Sequence, residues 1–176
     1  MVLRQSLALA ALAALLVAGA GSAVAETSKG FTVSATIAQG CAVTTNSGAG
    51  GTWGNIDLGT AAGMATGSVT ANLVSSGVSG VQLACTPGVT ATLTPDQGNQ
   101  ASAGVRRMVH ASQSASMISY LIYANNSATP WAAQGLPMSF TSGTQNQTVP
   151  VRAVATLSAT SPAGAYADTI RLTLSW

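Results

Sequence analysis

The sequence predicts an all-β protein, an antiparallel β-sandwich formed by one domain. Apolar and polar residues alternate with a period of two in several segments, and turn-forming residues separate these segments. Helix signals are almost absent. A chain of 176 residues can bury one core but is short for two domains. Short strands at regular spacing, with connections of Greek-key length, indicate the immunoglobulin-like type of sandwich.

The predicted strands follow one another between turns. Strand-like patterns occupy residues 31–38, 69–74, 81–85, 89–94, 117–124, 148–156 and 166–176. Turn formers occupy residues 45–51, 75–80, 95–99, 125–130 and 161–164. The last segment places Ile170, Leu172, Leu174 and Trp176 on one face. Such a strand is either covered by its own chain or leaves a sheet edge and an apolar face for a partner. We favour the second option, in which a partner covers the last strand.

The first 25 residues are interpreted as a secretory signal peptide. A short basic region ends at Arg4, residues 7–20 are almost entirely Leu, Ala and Val, and Ala23 and Ala25 form a small-x-small cleavage pattern. The apolar run is shorter than the ~20 residues that a membrane-spanning helix needs. We expect cleavage before Glu26 and a mature protein outside the cytoplasm, without membrane insertion.

The charge content argues against an electrostatic partner. Charged residues make up 6% of the chain, and the formal net charge is +2 at pH 7. Nucleic-acid binding needs a basic stripe, whereas only Arg106 and Arg107 are adjacent, and we expect that pair to be solvated. A surface with so few charges is typical of a protein that works in contact with copies or relatives of itself.

Cys41 and Cys85 are the two cysteines of the chain. In an exported protein an even number predicts a disulfide. Closing a loop of about 44 residues would stabilise the fold by roughly 4 kcal/mol on the chain-entropy estimate. A metal site or a catalytic thiol has little support, because the sequence has no CxxC spacing and a single histidine.

The motifs of catalysis are missing. A Ser-His-Asp triad would need His110 with Asp57, Asp96 or Asp168, and there is no G-x-S-x-G elbow around any serine. The glycine-rich residues 48–54 lack the Gly-Lys-Ser/Thr of a phosphate loop. We therefore predict a protein that is not an enzyme and that carries no cofactor or metal.

Several features together resemble the spore coat protein U domain family, which includes the subunits of archaic, Csu-type chaperone-usher pili. They are the signal peptide, the Gly-Cys at residues 40–41, the second cysteine in a strand, the strand at residues 118–123, and the ending Pro-x-Gly-x-Tyr-x-Asp-Thr at residues 162–169. The resemblance spans essentially the whole mature chain. The Gly-Cys and the ending are its most specific parts.

The resemblance implies an incomplete immunoglobulin-like sandwich that is completed by a donated strand. Residues 26–40 would be an N-terminal extension and residues 41–176 the pilin domain. The donor strand would be residues 30–38, with the inward side chains Phe31, Val33, Ala35 and Ile37. The acceptor groove and chaperone-facing strand would carry Ile170, Leu172, Leu174 and Trp176. Ala35 is smaller than the bulky residues usual in a donor strand. The alternative for residues 30–38 is an ordinary first strand that pairs within its own domain.

The implied function is that of a structural subunit of a secreted surface pilus. It would be assembled by donor-strand exchange through the chaperone-usher pathway and would support surface attachment and biofilm formation. Its partners would be other pilus subunits, a periplasmic chaperone and an outer-membrane usher. One alternative is a spore or cell-surface coat protein of the same fold. Another is a self-contained secreted carbohydrate-binding module, for which Trp53 and Trp131 would be the candidate aromatics.

Overall fold

The computed structural model of the protein describes residues 29–44, 52–75 and 77–176. The proposed signal peptide, residue Glu26 and the predicted turn at residues 45–51 lie outside the described residues. The chain divides into two compact units, Met1–Thr36 and Ile37–Trp176. Every strand given below belongs to the second unit.

The regular structure of the described part is entirely β-strand, which confirms the predicted all-β class. The strands are β1 Cys41–Val43, β2 Gly67–Asn72, β3 Val74–Ser75, β4 Val78–Ser79, β5 Val81–Cys85, β6 Thr90–Pro95, β7 Arg106–His110, β8 Met117–Ala124, β9 Leu136–Ser139, β10 Asn146–Val149, β11 Val151–Leu157, β12 Tyr166–Ala167 and β13 Leu172–Ser175. Among the described residues, no helix is long and apolar enough to cross a bilayer.

The strands form two main layers and a small hairpin. One layer is a five-stranded antiparallel sheet in the order β12-β7-β8-β11-β2. The other contains two three-stranded sheets, β1-β5-β10 and β13-β6-β9. Backbone hydrogen bonds continue between these two sheets, because Gly88 N–H donates to Phe140 O at 2.7 Å and Cys85 N–H donates to Gln145 O at 2.9 Å. Strands β5 and β6 therefore follow one line, and β10 and β9 flank that line on one side.

The opposite side of the same line is covered by β1 and β13. Strand β1 pairs antiparallel with β5, from Cys41 opposite Cys85 to Val43 opposite Leu83. Strand β13 pairs antiparallel with β6, from Leu172 opposite Pro95 to Ser175 opposite Thr92. The two strands run in the same direction. Along that direction β13 comes first, beside β6, and β1 follows, beside β5. The first and the last strand of the domain thus form one edge of this layer.

The core lies between the inner faces of the two layers, and it follows the predicted alternation. Strand β8 buries every second residue, and so do β6 and β11. The largest fully buried side chains are Phe140, Leu83, Leu93, Ile122, Val81 and Val149. Every other residue of these strands points to the opposite face, as the pleat requires.

Two segments predicted as single strands are broken in the structure. Residues 148–156 are interrupted at Pro150, which has no N–H for a sheet ladder, so β10 and β11 lie in different layers. Residues 166–176 are interrupted between β12 and β13, which also lie in different layers. At that break the Arg171 N–H donates to the side chain of Asp96 at 3.0 Å. Residues 31–38 were also predicted as a strand, but they form no strand in the structure.

The predicted disulfide is confirmed. Cys41 and Cys85 are bonded, with an S–S distance of 2.01 Å and 4.1 Å between their Cα atoms. They are also direct cross-strand partners of β1 and β5. Strand β1 has three residues and pairs with β5 alone in the described part. The covalent bond therefore secures a strand that few hydrogen bonds hold.

The variant Cys41→Ser/Cys85→Ser should lower the free energy of unfolding by about 4 kcal/mol, because the unfolded chain regains the entropy of an open loop. Urea unfolding of the purified mature protein, followed by circular dichroism, measures the change. The parent protein with a reducing agent is the matched control and should show the same loss. An unchanged midpoint in both would contradict a stabilising role for the bond.

Candidate functional site

Strand β13 has hydrogen bonds on one edge. Its one strand neighbour among the described residues is β6. Asp96 N–H donates to Arg171 O at 2.8 Å, so residues 171 and 96 form a hydrogen-bonded pair. Paired positions alternate along an antiparallel ladder between hydrogen-bonded and non-hydrogen-bonded. Leu172 and Leu174 are thus non-hydrogen-bonded, and their N–H and C=O groups point away from β6.

The side chains on the inner face of this strand are only half covered. Ile170, Leu172 and Leu174 pack against the core but are only half-buried. In the same layer Leu93 is 0% exposed. The structure thus brings together three of the four predicted groove residues. The fourth, Trp176, follows the end of β13 and is 61% exposed.

Strand β1 continues the same arrangement. Thr86 N–H donates to Gly40 O, and Thr44 N–H donates to Gln82 O, both at 2.9 Å. The alternation then directs the main-chain groups of Cys41 and Val43 away from β5. Both side chains are half-buried and pack against the core. We call β13 and β1 together the open edge.

The predicted donor residues are all exposed to solvent. Phe31 is 88% exposed, Val33 83% and Ile37 85%. Ala35, between them in the same alternation, is also exposed. Residues 29–40 have no strand assignment. The donated strand and the alternative of an ordinary first strand both stay predictions for this segment.

The ending Pro-x-Gly-x-Tyr-x-Asp forms a clasp ahead of β13. The Tyr166 hydroxyl donates to Pro162 O at 2.8 Å, much as the tyrosine corner of immunoglobulin domains bonds to backbone upstream. The Tyr166 ring lies edge-on to the His110 ring, with 5.0 Å between centroids. Gly164 lies directly against that histidine, so that any Cβ would overlap the ring. These contacts fix the turn before β12 onto β7.

His110 is a buried structural residue of this clasp. Its Nδ1 accepts backbone N–H bonds from Ser112 at 3.0 Å and from Gln113 at 3.1 Å. The proton therefore lies on Nε2, which donates to Ala163 O at 3.1 Å. Both ring nitrogens are occupied by backbone groups, and no aspartate bonds to the ring within the described residues. The triad hypothesis gains no support from this geometry.

Asp168 ties the second half of the clasp to the sheet. Its carboxylate accepts a hydrogen bond from the Tyr120 hydroxyl at 2.6 Å and another from Asn99 N–H at 2.9 Å. Burial of the Tyr120 phenol, together with this bond to Asp168, raises the pKa of Tyr120 above its ordinary value. Gly98 lies so close to the carboxylate that no side chain would fit there. The segment that leads into β13 is thus held in place.

The prediction that Arg106 and Arg107 are solvated is wrong for Arg106, whose side chain is buried and 4% exposed. Its guanidinium donates to Asp96 O at 2.5 Å, to Trp131 O at 2.9 Å and to Ala132 O. Burial lowers the pKa of Arg106, while Tyr120, Asp96 and Asp168 oppose the shift. Arg106 therefore joins two loops from the inner face of β7. Arg106, Met108 and His110 share one face of the strand in the two-residue alternation. This alternation is the sequence signal that could have placed Arg106 on the inner face.

The two tryptophans proposed for carbohydrate binding do not form an exposed platform. Trp131 is 4% exposed, and its indole N–H donates to Gln134 O at 2.8 Å. Trp53 is half-buried and packs against the core. Among the described residues, no three His, Cys, Asp or Glu side chains are placed to hold a metal ion.

Comparisons with known proteins gave a family match and similar solved structures. The family model described as Spore Coat Protein U domain matches residues 27–173. The fold is similar to the crystal structure of the CsuC-CsuE chaperone-tip adhesion subunit pre-assembly complex from archaic chaperone-usher Csu pili of Acinetobacter baumannii, with a TM-score of 0.51 and 18% identity. That alignment covers 80% of this chain and 40% of the matched chain.

A second solved structure is a chaperone-tip adhesin complex of CFA/I fimbriae biogenesis, with a TM-score of 0.44 and 13% identity over 77% of this chain. This chain again covers 40% of the matched chain. A search of curated proteins gave no match.

The variant Gly164→Ala should lower the free energy of unfolding by about 1–3 kcal/mol, because the added methyl group overlaps a histidine ring that three hydrogen bonds hold in place. Denaturant unfolding of the mature protein measures the loss. Gly143→Ala is the matched control, since a Cβ there meets nothing within 4 Å and no left-handed backbone is involved. Equal midpoints for the two variants would show that the clasp does not contribute to stability.

Proposed function

The chain belongs to the Spore Coat Protein U domain family, and we propose that it is a structural subunit of a surface fibre built by donor-strand exchange. In this proposal each copy receives a β-strand along its open edge and donates residues 30–38 to another copy. The observation that carries the proposal is the one-sided pairing of β13 above half-covered core residues.

The open edge offers both kinds of interaction that strand addition uses. The outward N–H and C=O groups of Leu172 and Leu174 supply the main-chain hydrogen bonds, and the half-buried side chains supply the pockets. An inserted strand would remove Ile170, Leu172 and Leu174 from water, together with its own apolar residues. Each large side chain that becomes fully buried contributes ~1.5–3 kcal/mol. With several such residues buried, an assembled fibre should resist denaturants that unfold single subunits.

Residues 30–38 have the pattern of the donor. Phe31, Val33, Ala35 and Ile37 share one face of an extended segment, and all four are exposed. Strand β13 already occupies the edge of β6 from Thr92 to Pro95. The small Ala35 would need only a shallow pocket in the acceptor.

The partners follow from the same open edge. An uncovered strand with an apolar face aggregates, so a subunit in transit needs a partner that covers it. We infer a periplasmic chaperone in that role and an outer-membrane usher as the assembly site, with removal of residues 1–25 on export. The similar Csu fold was crystallised in a chaperone-subunit pre-assembly complex, which supports the inference. The finished fibre would serve surface attachment and biofilm formation.

The donor half of the proposal is tested with Ile37→Asp, which places a charge into the apolar groove of the next copy at a cost of several kcal/mol. Fibres, counted by electron microscopy of cells that also express the chaperone and usher, should be lost. The subunit should still bind its chaperone, since its own open edge is intact. Thr36→Asp is the matched control on the opposite face and should leave fibres nearly unchanged. Deletion of residues 26–38 should reproduce the loss.

The acceptor half is tested with Leu174→Asp, which should block both chaperone binding and strand uptake. Thr173→Asp lies one residue away on the exposed face and is its control. Co-expression of Ile37→Asp with the parent chain should shorten fibres, because the variant accepts a strand but donates none. Fibres of normal number and length from the Ile37→Asp protein alone would refute the proposal.

A further inference from the structure

We propose that the outer face of the five-stranded sheet around Arg107 binds a second copy of this chain through the exposed segment 57–64 of that copy. The contact is separate from the exchanged strand. This inference rests on the proposed function only because fibre assembly brings copies of the chain together.

The outer face contains a compact apolar patch with an arginine at its centre. Across strands, Arg107 lies opposite Ser119, Val109 opposite Met117, and Leu121 opposite Val154. Val105 precedes β7 in the same alternation as Arg107. Val105 is 43% exposed, Met117 37% and Leu121 43%. The outer patch therefore consists of Val105, Arg107, Val109, Met117, Leu121 and Val154.

Arg107 differs from the other arginines of the described chain. It is half-buried, and its side chain makes no hydrogen bond or ion pair with any described residue; its Nε is buried without a partner. In contrast, Arg106 bonds to three carbonyl groups, Arg152 stacks on Tyr123 and Arg171 pairs with Asp96. A partly desolvated guanidinium without an acceptor favours a carboxylate from outside the chain. Arginine and methionine among apolar residues are also typical of protein interfaces.

The carboxylates of the chain indicate the occupant. Asp96 pairs with Arg171, and Asp168 accepts from Tyr120. Asp57 is exposed, and its carboxylate accepts one hydrogen bond, from Gly59 N–H at 2.8 Å. Glu26 lies outside the described residues. Asp57 is thus the described carboxylate with the most free acceptor capacity.

The segment that follows Asp57 also matches the apolar part of the outer patch. Residues 59–64 are exposed, and Met64 at their end is 85% exposed. A methionine adapts to irregular apolar surfaces such as the one that Val105 and Leu121 form. Segment 57–64 therefore offers a carboxylate for Arg107 and an apolar side chain for its neighbours. A second copy supplies both groups at once.

The first test uses Arg107→Lys, since Lys29 is the single lysine of the native chain. A carbodiimide joins an amine only to a carboxylate in contact with it. It is applied to full mature protein in fibres sheared from cells and to the same protein purified from the periplasm. After complete unfolding, we expect a species of twice the subunit mass in which position 107 is joined to Asp57, and its loss in Arg107→Lys/Asp57→Asn. Position 107 joined within its own chain, or joined to nothing in either sample, would overturn the proposal.

The second test reverses the charges. Arg107→Asp and Asp57→Arg should each weaken association between purified copies about threefold, as for a partly exposed ion pair, and high salt should reduce the effect. The combined variant should restore association, whereas Lys29→Asp should have no effect. Single variants that associate normally, or a combined variant that is weaker than either, would contradict the contact. Fibre number reports strand exchange and not this contact, so absence of fibres from the parent chain would refute the proposed function separately.

Discussion

The structure depends on a strand that, among residues 29–44, 52–75 and 77–176, has a strand partner on one side only. Strand β13 bonds to β6, while Leu172 and Leu174 direct their other main-chain groups outward and leave their side chains half covered. Water satisfies those main-chain groups at little cost, but it does not bury the apolar face. The unfavourable contribution to the free energy is thus the apolar surface that stays exposed to water. Any extended segment with alternating apolar residues can cover that surface. The same chain carries such a segment at residues 30–38.

Both parts of the open edge are held in place before a partner arrives. The clasp at Pro162, Gly164, Tyr166 and Asp168 fixes the chain that leads into β13. The disulfide fixes β1 against β5. A fixed edge costs less entropy to bind than a mobile one, so these contacts favour strand addition without touching the added strand. In the proposed strand addition, the Pro-x-Gly-x-Tyr-x-Asp ending would thus help assembly by holding β13 in position.

The alternation of residues was sufficient to predict the class and the inner faces, and the even number of cysteines in an exported chain was sufficient to predict the disulfide. Ile170, Leu172 and Leu174 were placed on the core face by period alone, and they lie there. The break ahead of β13 was missed, because it depends on Asp96 bonding to Arg171 from 75 positions away. Burial of Arg106 was missed for the same reason, since its acceptors lie in two remote loops. Trp176 follows the alternation in sequence but lies beyond the end of the strand.

The central claim is that another copy adds a strand to β13, and amide hydrogen exchange tests it most directly. The N–H groups of Leu172 and Leu174 point to the open edge, whereas those of Thr173 and Ser175 point to β6 and serve as the internal reference. On going from isolated subunit to fibre, exchange at Leu172 and Leu174 should slow by about 100-fold or more relative to that reference, as expected for ~3 kcal/mol of added protection. Equal protection of Leu172 and Leu174 in subunit and fibre would show that the open edge stays unpaired, which contradicts strand addition.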